Sequence, residues 1–371
     1  MAGQTPLRMH GVTEACQSTG TASCHGSLDM TGEWIKRRGG KSTGFRYEDA
    51  QGRVVRDRKQ LARIDALRVP PAWRDVHIAA SPRAAIQAWG FDVKGRKQYR
   101  YHERAVAKRE QRKYHRLRRL AHDLPMIRDA LYTQLGSGRE LTRDRVAAGV
   151  VRLISKGFFR PGNERYTREN HTFGITTLNK RHVQVDGNAI AFAFRGKSNK
   201  EQRRVVVDRA LAALVRALLE TPGTRLFRYI ADGAWHNLTQ REVNDYVRRL
   251  TPARYTAKDF RTWGGTLRTA MVLSDLGPAG SAREAKKNVV LAIRLVAAEL
   301  GNTPAICRSS YIHPIVLARY MDHGDTILPR ARGKTAGGHY PEERAMLRFL
   351  DRHFPERRRR SRVKAAGAAS R

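Results

Sequence analysis

The chain has 371 residues, 40% of them hydrophobic, which is enough for two or three domains that each bury a core. Its 72 lysines and arginines against 34 acidic residues give a formal net charge of +38, which indicates a polyanionic partner such as nucleic acid. No apolar run reaches transmembrane length and no isolated basic amphipathic helix is present, so a membrane partner is not expected.

Residues 1–32 predict a disordered leader, because they are rich in Gly, Ser and Thr without periodicity. They contain one arginine, Arg8, and no continuous apolar stretch, so a secretory signal is not expected. The three cysteines, Cys16, Cys24 and Cys307, cannot build a disulfide framework, and the first two have no common zinc spacing. We therefore expect a reducing, cytoplasmic compartment.

Residues 33–102 predict a small β-rich domain. The stretches GFRYEDAQGRVV and FDVKGRKQYRY each place a turn containing glycine between strand-forming ends. Between them, Pro70 and Pro71 disfavour both a helix and a central strand, so an extended corner is expected there. In the second hairpin, Tyr99 and Tyr101 would share one face of a strand.

The composition changes at residues 104–119, where eight of sixteen positions are Arg or Lys. We interpret residues 103–120 as a basic helix or linker at a domain boundary. From 121 to 354 helical patterns dominate, as in KNVVLAIRLVAAEL, where four apolar residues fall on one face. The tail, residues 355–371, is rich in arginine without a core-forming pattern and predicts a disordered extension.

One β segment interrupts these helices. Val183 and Val185 precede a turn at 186–187, apolar residues recur at period two from Ile190 to Phe194, and another apolar run follows a polar turn. Three antiparallel strands are the simplest account, with Lys197 at the second turn. The predicted fold class is therefore α+β: a small β-rich N-terminal domain and a larger, mainly α-helical domain with a three-stranded β insertion.

The stretch LGNTPAICRSSYIHP, residues 300–314, contains a helix junction. One helix is expected to end at Leu300 and another to begin at Pro304, with Tyr311 a few residues after Asn302. A tyrosine in a helical region belongs more often to a core or an interface than to a catalytic site. His313 fits a helix-start residue before a proline better than a catalytic group.

Breaking and rejoining a DNA strand without a metal needs three kinds of group. The first is a clamp, meaning a set of fixed donors that hold the two non-bridging oxygens of the phosphate. Arginine suits this role, because its planar fork donates two hydrogen bonds and stays charged. Lysine suits the acid that protonates the departing oxygen, because nearby cations and desolvation lower its pKa. Tyrosine suits the nucleophile, because a phosphotyrosyl bond keeps the energy of the broken strand.

The blocks GFFRPGNERYTRENHTFGITTLNKRHV, FRGKSNK, KDFRTWGGT and LGNTPAICRSSYIHP together resemble the poxvirus-like type IB DNA topoisomerases, in the branch found in bacteria. IDALRVPPAWRDVHI and DVKGRKQYRYH resemble that family's N-terminal domain, so the resemblance covers about residues 33–340. It implies the catalytic fold shared by tyrosine recombinases and type IB topoisomerases. It also implies relaxation of supercoiled double-stranded DNA by a monomer associated with the bacterial nucleoid, without ATP, metal or other cofactor.

The resemblance assigns the catalytic roles. It makes Tyr311 the nucleophile that forms a 3′-phosphotyrosyl link, Arg160 and Arg261 the clamp, and Lys197 the general acid. Asn302 departs from the viral pattern, which has histidine there; its amide can donate one hydrogen bond but cannot become charged.

The resemblance also implies DNA contacts for Gln98, Tyr99 and Tyr101. Glutamine can pair with a base edge, and tyrosine hydroxyls can reach phosphates. The alternative is that the two tyrosines belong to the core of the β-rich domain.

Two other functions are compatible with parts of the sequence. A tyrosine recombinase uses a similar Arg/Lys/Arg/Tyr set, although recombinases usually begin with a helical domain. A non-catalytic, basic nucleic-acid-binding protein is the second alternative, and Asn302 is the one feature that favours it. No histidine has metal-site spacing to Cys, Asp or Glu, so no metal is expected, and Cys307 is expected to be structural.

Overall fold

The computed structural model describes residues 33–251, 253–326 and 338–355. The predicted leader, with Cys16 and Cys24, and residues 356–371 of the predicted tail lie outside the described residues. The chain forms two compact units, which divide between Arg112 and Lys113. A small sheet characterises the first unit and helices characterise the second, which confirms the predicted α+β class.

The first unit contains a five-stranded antiparallel sheet, with strand order β2-β1-β3-β4-β5. Its strands are β1 (Trp34–Gly40), β2 (Gly44–Glu48), β3 (Arg74–Ala79), β4 (Ile86–Phe91) and β5 (Lys97–Tyr101). One face of the sheet packs with a helix, α1 (Arg58–Ala66), around a small core of Ile35, Ile64, Val76, Ile78 and Ala88.

Both predicted turns of this unit are present, and an aspartate builds each of them. Asp49 Oδ1 accepts a hydrogen bond from the Arg53 backbone N–H at 2.9 Å, and Asp92 Oδ1 accepts one from the Arg96 N–H at 2.9 Å. Each carboxylate also accepts from the backbone N–H two residues further on. The two turns therefore use the same side-chain-to-backbone chemistry.

The connection from α1 to β3 contains the predicted proline corner. The Arg37 guanidinium donates to the carbonyls of Pro70, at 3.2 Å, and Trp73, at 2.7 Å, and so ties the corner to β1. Helix α1 was not predicted. Its only clear indication is Asp57, which caps the helix through the Lys59 N–H, and its sequence is mainly polar.

The basic segment at 103–120 is helical over its whole length. It belongs to α2 (Glu103–Gly136), a 34-residue helix that contains Pro125 and continues past the predicted end of the segment. The helix continues because apolar residues recur every three or four positions from Leu117 to Leu135 and are buried. The compact units divide inside the basic segment.

The second unit is mainly helical. Beyond α2 its helices are α3 (Arg143–Gly157), α4 (Glu164–Asn170), α5 (Arg209–Leu219), α6 (Gln240–Leu250), α7 (Ala257–Leu276), α8 (Ala282–Leu300), α9 (Pro304–Tyr311), α10 (Pro314–His323) and α11 (Pro341–His353).

The predicted three-stranded insertion is confirmed. It consists of β6 (Val183–Asp186), β7 (Ala189–Arg195) and β8 (Glu201–Val207), antiparallel in the order β6-β7-β8, with Ile190 and Phe192 in the core. A further hairpin, β9 (Arg228–Ala231) and β10 (Ala234–Asn237), was not predicted.

The predicted helix junction is also confirmed. Helix α8 buries Val289, Ile293, Val296 and Leu300 on one face and ends at Gly301, whose φ is +63°. Helix α9 meets it at about 90°. Among the described residues no single helix is long and apolar enough to span a membrane; α8 and α9 reach that length and composition only as a bent pair.

Candidate active site

Tyr311 is the last residue of α9, and two helices fix its backbone. Thr303 begins α9 by accepting a hydrogen bond from the Ile306 N–H, and Pro304 supplies the first residue of the helix. At the other end, the Thr266 hydroxyl of α7 accepts from the His313 N–H at 3.1 Å, and its proton is shared between the Thr262 carbonyl at 2.8 Å and the Tyr311 carbonyl at 3.3 Å. The Tyr311 main chain is therefore held against α7.

Arg261 lies in the first turns of α7 and is only 2% exposed. One terminal nitrogen, Nη2, donates to the Leu300 carbonyl at 3.0 Å. Its Nε and Nη1 groups are buried and have no hydrogen-bond partner among the described residues. The guanidinium carbon lies 5.1 Å from the centroid of the Tyr311 ring. Because unpaired buried donors are costly, this arrangement is best suited to an anion placed beside Tyr311.

Arg160 follows α3, which ends at Phe158 in the left-handed conformation, with φ +54°. Space for the Phe158 ring comes from Gly264 of α7, where an added Cβ would lie 2.0 Å from a ring carbon. Nη2 of Arg160 donates to the Gly301 carbonyl at 2.6 Å and to the Asn302 side chain. Burial and the nearby Arg261 charge lower the pKa of Arg160 to about 10.

The amide of Asn302 has a defined orientation. Arginine has only donors, so the atom facing Arg160 must be the acceptor Oδ1. The amide nitrogen, Nδ2, is buried and has no partner among the described residues. Asn302 therefore presents a free donor next to the free donors of Arg261.

The charge around Tyr311 is positive. Burial raises the pKa of the Tyr311 hydroxyl. The charges of Arg261, Lys258 and Arg160, together with a side-chain hydrogen bond from Arg261, outweigh burial and hold this pKa below its ordinary value. Lys258 was not singled out from the sequence; its Nζ lies 6.0 Å from the Tyr311 ring centroid. Its position three residues before Arg261, and so on the same helix face, could have identified it.

Lys197 lies at the tip of the turn between β7 and β8, as predicted. It begins a short 3-10 turn, Lys197–Asn199, in which Ser198 and Asn199 have positive φ. Lys197 is exposed, whereas Arg160, Asn302 and Tyr311 are partly buried and Arg261 fully so. The structure therefore brings four of the five predicted catalytic residues into one cluster, whereas Lys197 is exposed at the tip of its turn.

The predicted DNA-binding residues lie on β5 in the first unit. Tyr99 and Tyr101 share one face as predicted, with ring centroids 5.9 Å apart, and neither belongs to the core cluster of the unit. Gln98 points to the other face, is 4% exposed and donates its amide to Asp92 Oδ2 at 3.0 Å. A base contact would require this amide to leave Asp92, so the contact predicted for Gln98 stays a prediction.

His313 is the helix-start residue that was expected. Its Nδ1 accepts from the Ile315 N–H at 3.2 Å, and its ring packs between those of Tyr114 and Phe354 at centroid distances of 4.3 and 4.7 Å. Burial, together with the charge of Lys113, lowers the pKa of His313 to about 3. The ring is therefore neutral at physiological pH and caps α10.

Cys307 is buried in α9, and burial raises the pKa of its thiol to about 11, which fits a structural residue. Within the described ranges, no group of three His, Cys, Asp or Glu side chains could hold a metal ion.

Comparisons with known proteins identify the family of the chain. The family model of the eukaryotic DNA topoisomerase I catalytic core matches residues 91–327, and that of the bacterial DNA topoisomerase IB N-terminal domain matches residues 44–92. DNA topoisomerase 1B of Acanthamoeba polyphaga mimivirus is 29% identical over 302 residues, which are 79% of this chain and 89% of that protein. DNA topoisomerase 1B of vaccinia virus (strain Copenhagen) is 24% identical over 238 residues, which are 63% of this chain and 72% of that protein.

Proposed function

This chain belongs to the type IB DNA topoisomerases, and we propose that Tyr311 is the nucleophile with which it cuts and reseals one strand of duplex DNA. The enzyme relaxes supercoiled DNA through a transient 3′-phosphotyrosyl intermediate followed by religation. One observation carries the assignment of the site. The guanidinium of Arg261 is 2% exposed, has two donors without a partner among the described residues, and lies 5.1 Å from the Tyr311 ring.

In the first step the Tyr311 oxygen attacks the phosphorus of the scissile phosphodiester. A bond forms between this oxygen and phosphorus, and the bond to the 5′ oxygen of the next nucleotide breaks. The lowered pKa of Tyr311 favours release of the phenolic proton to solvent and so favours attack by the phenolate oxygen. Religation reverses both bond changes, so the energy of the strand is conserved and no nucleotide cofactor is consumed.

The clamp acts on the two non-bridging oxygens. Arg261 offers Nε and Nη1, and Asn302 offers Nδ2. Arg160 holds the Asn302 amide in this orientation and adds its own charge. Fixed donors of this kind stabilise the negative charge that builds up on the pentacoordinate phosphorus, and their value is high because the site is largely closed to water.

Lys197 supplies the proton that the departing 5′ oxygen needs. Support for this role comes from the family's motif and from the position of Lys197 on a hairpin tip within the same unit. Because Lys197 is exposed in the free protein, we propose that bound DNA brings the leaving oxygen to it.

Membership of this family also suggests the oligomeric state, the membrane behaviour and the cellular location of the enzyme. We propose that the enzyme acts as a monomer, that it binds no membrane, and that it works in the bacterial cytoplasm at the nucleoid. The net charge of +38 supports a polyanionic environment of this kind.

The test is relaxation of supercoiled plasmid in EDTA without ATP, followed by an SDS quench that traps covalent protein–DNA. Wild type is compared with Tyr311→Phe, and Tyr340→Phe serves as the matched control because Tyr340 is an exposed tyrosine at the start of α11. We expect relaxation and adduct with wild type and Tyr340→Phe, and neither with Tyr311→Phe.

Each other outcome has a definite meaning. Binding without any adduct in wild type would establish the non-catalytic DNA-binding alternative. Exchange of strands between paired sites would establish a recombinase. An adduct that persists in Tyr311→Phe would show that another residue is the nucleophile.

A further inference from the structure

Three consecutive backbone carbonyls at the end of α8 each accept a hydrogen bond from a different arginine. The pairs are Glu299 with Arg204, Leu300 with Arg261, and Gly301 with Arg160. The last carbonyls of a helix have no partner within the helix and carry partial negative charge, so they are suitable anchors for guanidinium groups. Two of the three arginines form the proposed clamp, and Arg204 has no assigned role.

Arg204 differs from Arg261 in how its donors are used. One of its terminal nitrogens donates to the Glu299 carbonyl, and the other donates to Gln202 Oε1 at 3.0 Å. Both ends of its fork are therefore occupied by protein atoms. Arg261, in contrast, has two donors free for a ligand. This pattern fits a residue that holds other groups in place and does not contact the phosphate itself.

Gln202, the partner of Arg204, is buried and touches two turns that carry proposed catalytic groups. A Cβ added at Gly301 would lie 2.4 Å from Gln202 Oε1, and one added at Gly196 would lie 2.8 Å from Gln202 Cγ. Gly301 precedes Asn302, and Gly196 precedes Lys197. The side chain of Gln202 is thus packed against both turns at the point where each presents its functional residue.

The clamp needs such support because its charges repel one another. Burial and the charge of Arg261 lower the pKa values of both Arg160 and Arg204 to about 10, because the guanidinium groups repel one another. The carbonyls at the end of α8 offset this repulsion by giving each arginine a fixed acceptor.

We propose that Arg204 is a positioning residue for strand cleavage and religation. Its hydrogen bond to the Glu299 carbonyl fixes the end of α8. Its hydrogen bond to Gln202 fixes, through that side chain, the turns that carry Asn302 and Lys197. This inference rests on the proposed function, since it concerns the same site.

The experiment measures the single-turnover rate of covalent adduct formation on duplex DNA for wild type, Arg204→Met and Arg204→Lys. Arg203→Met is the matched control, since it removes the same charge from the neighbouring position of β8, where the side chain is 80% exposed. Displacement of catalytic groups by about 1 Å can cost roughly a hundredfold in rate. We expect Arg204→Met to lose about tenfold to a hundredfold, and Arg203→Met to cleave at nearly the wild-type rate.

Three readouts separate positioning from a general effect of charge or folding. Arg204→Lys keeps the charge but replaces the planar fork, whose two ends reach Glu299 and Gln202, by a single shorter ammonium group, so it should recover little of the rate. In combination with Asn302→Ala, the loss caused by Arg204→Met should shrink by severalfold, because both changes disturb the same turn. The non-covalent DNA affinity of Arg204→Met should stay within about twofold of the affinity of Arg203→Met, since Arg204→Met removes no phosphate contact.

Gln202→Met provides a second route if Arg204→Met unfolds. It removes the acceptor of Arg204 while keeping the length of the side chain, and it should slow cleavage by a similar factor. Full rescue by Arg204→Lys, strictly multiplicative losses with Asn302→Ala, or wild-type cleavage by Arg204→Met or Gln202→Met would overturn the inference. If wild type itself forms no adduct, the proposed function fails; if wild type cleaves and the Arg204 variants match it, only the positioning role fails.

Discussion

Gly265 of α7 lies directly against the backbone of Tyr311. A Cβ added at Gly265 would come 2.8 Å from the Tyr311 carbonyl oxygen and 3.3 Å from the Tyr311 Cβ. The close approach lets α7 carry Arg261 next to the tyrosine. Gly265, the second glycine of the KDFRTWGGT stretch, is therefore required by the geometry of the active site.

The first prediction concerns Gly265→Ala. The new methyl group meets a backbone atom, which cannot move aside as a flexible side chain would, so we expect a loss of about 1–3 kcal/mol in the free energy of unfolding. The cleavage rate should fall by roughly tenfold to a hundredfold, because Tyr311 is displaced from the clamp. Urea unfolding and single-turnover cleavage check both effects.

Gly280→Ala is the control for this variant. An added Cβ at Gly280 would meet only the end of the Glu284 side chain, at 3.4 Å. Wild-type stability and rate in Gly265→Ala would contradict the requirement for a close approach.

The second prediction concerns pH. The Arg261 charge is the largest of those that hold the pKa of Tyr311 below its ordinary value. Arg261→Gln removes that charge, so the pKa of Tyr311 should rise and the rising limb of the cleavage rate should move to higher pH. The rate at neutral pH should fall by about 10²–10³, as for loss of a donor to a developing oxyanion.

Single-turnover cleavage across a pH series measures this effect, with Arg283→Gln, at an exposed position early in α8, as the charge-matched control. A slower rate with an unshifted pH profile would show that Arg261 does not act on the ionisation of Tyr311.

The third prediction uses the near-identical shape of Asn and Asp. Asn302→Asp keeps the acceptor for Arg160 but replaces the free Nδ2 donor by a second carboxylate oxygen. The carboxylate should pair with Arg160, so the melting temperature should not fall. Cleavage should drop by at least about a hundredfold, because a phosphate oxygen would now face an anion instead of a donor.

Asn302→Ala is the comparison for this variant, and it should retain more activity than Asn302→Asp because it removes the donor without adding negative charge. If Asn302→Asp cleaved as fast as wild type, Nδ2 would have no place in the clamp.

The fourth prediction concerns the first unit. Tyr99→Phe should weaken DNA binding by about tenfold, the effect expected for loss of one hydrogen bond to a charged phosphate. Tyr47→Phe is the control, since Tyr47 packs against the core on the opposite face of the same sheet. Binding to a duplex by fluorescence anisotropy, in a Tyr311→Phe background that cannot cleave, gives the comparison. Equal DNA affinities for the Tyr99→Phe and Tyr47→Phe variants would show that the Tyr99 hydroxyl does not contact DNA.

The fifth prediction concerns salt. If the protein neutralises about eight phosphates, the logarithm of its DNA affinity should fall with the logarithm of salt concentration at a slope near −7. The same anisotropy assay between about 50 and 300 mM salt measures the slope. A slope nearer zero would mean that the net charge of +38 is not used on the DNA backbone.

Several elements could be predicted because their causes are local. The period-two apolar residues of β7 and the glycine turns before and after it define the three-stranded insertion without reference to the rest of the chain. Thr303, Pro304 and Gly301 define the junction of α8 and α9 in the same way. The hairpin of β9 and β10 was missed although Asp232 and Gly233, both with positive φ, form a recognisable turn pair.

The roles of Arg160, Lys197, Arg261 and Tyr311 came from their motifs, and the structure adds what the motifs do not contain. The sequence does not indicate that Gln98 is bonded to Asp92 or that Arg204 shares the end of α8 with the clamp. These relationships join residues that only the folded chain brings together, such as Arg160 and Gly301. The sequence by itself determined most of the elements, because short-range periodicity, turns and caps specify them, and its motifs determined the candidate residues. Only the tertiary structure decided which guanidinium groups meet a helix end and which keep free donors, because burial and hydrogen bonding between distant segments set that choice.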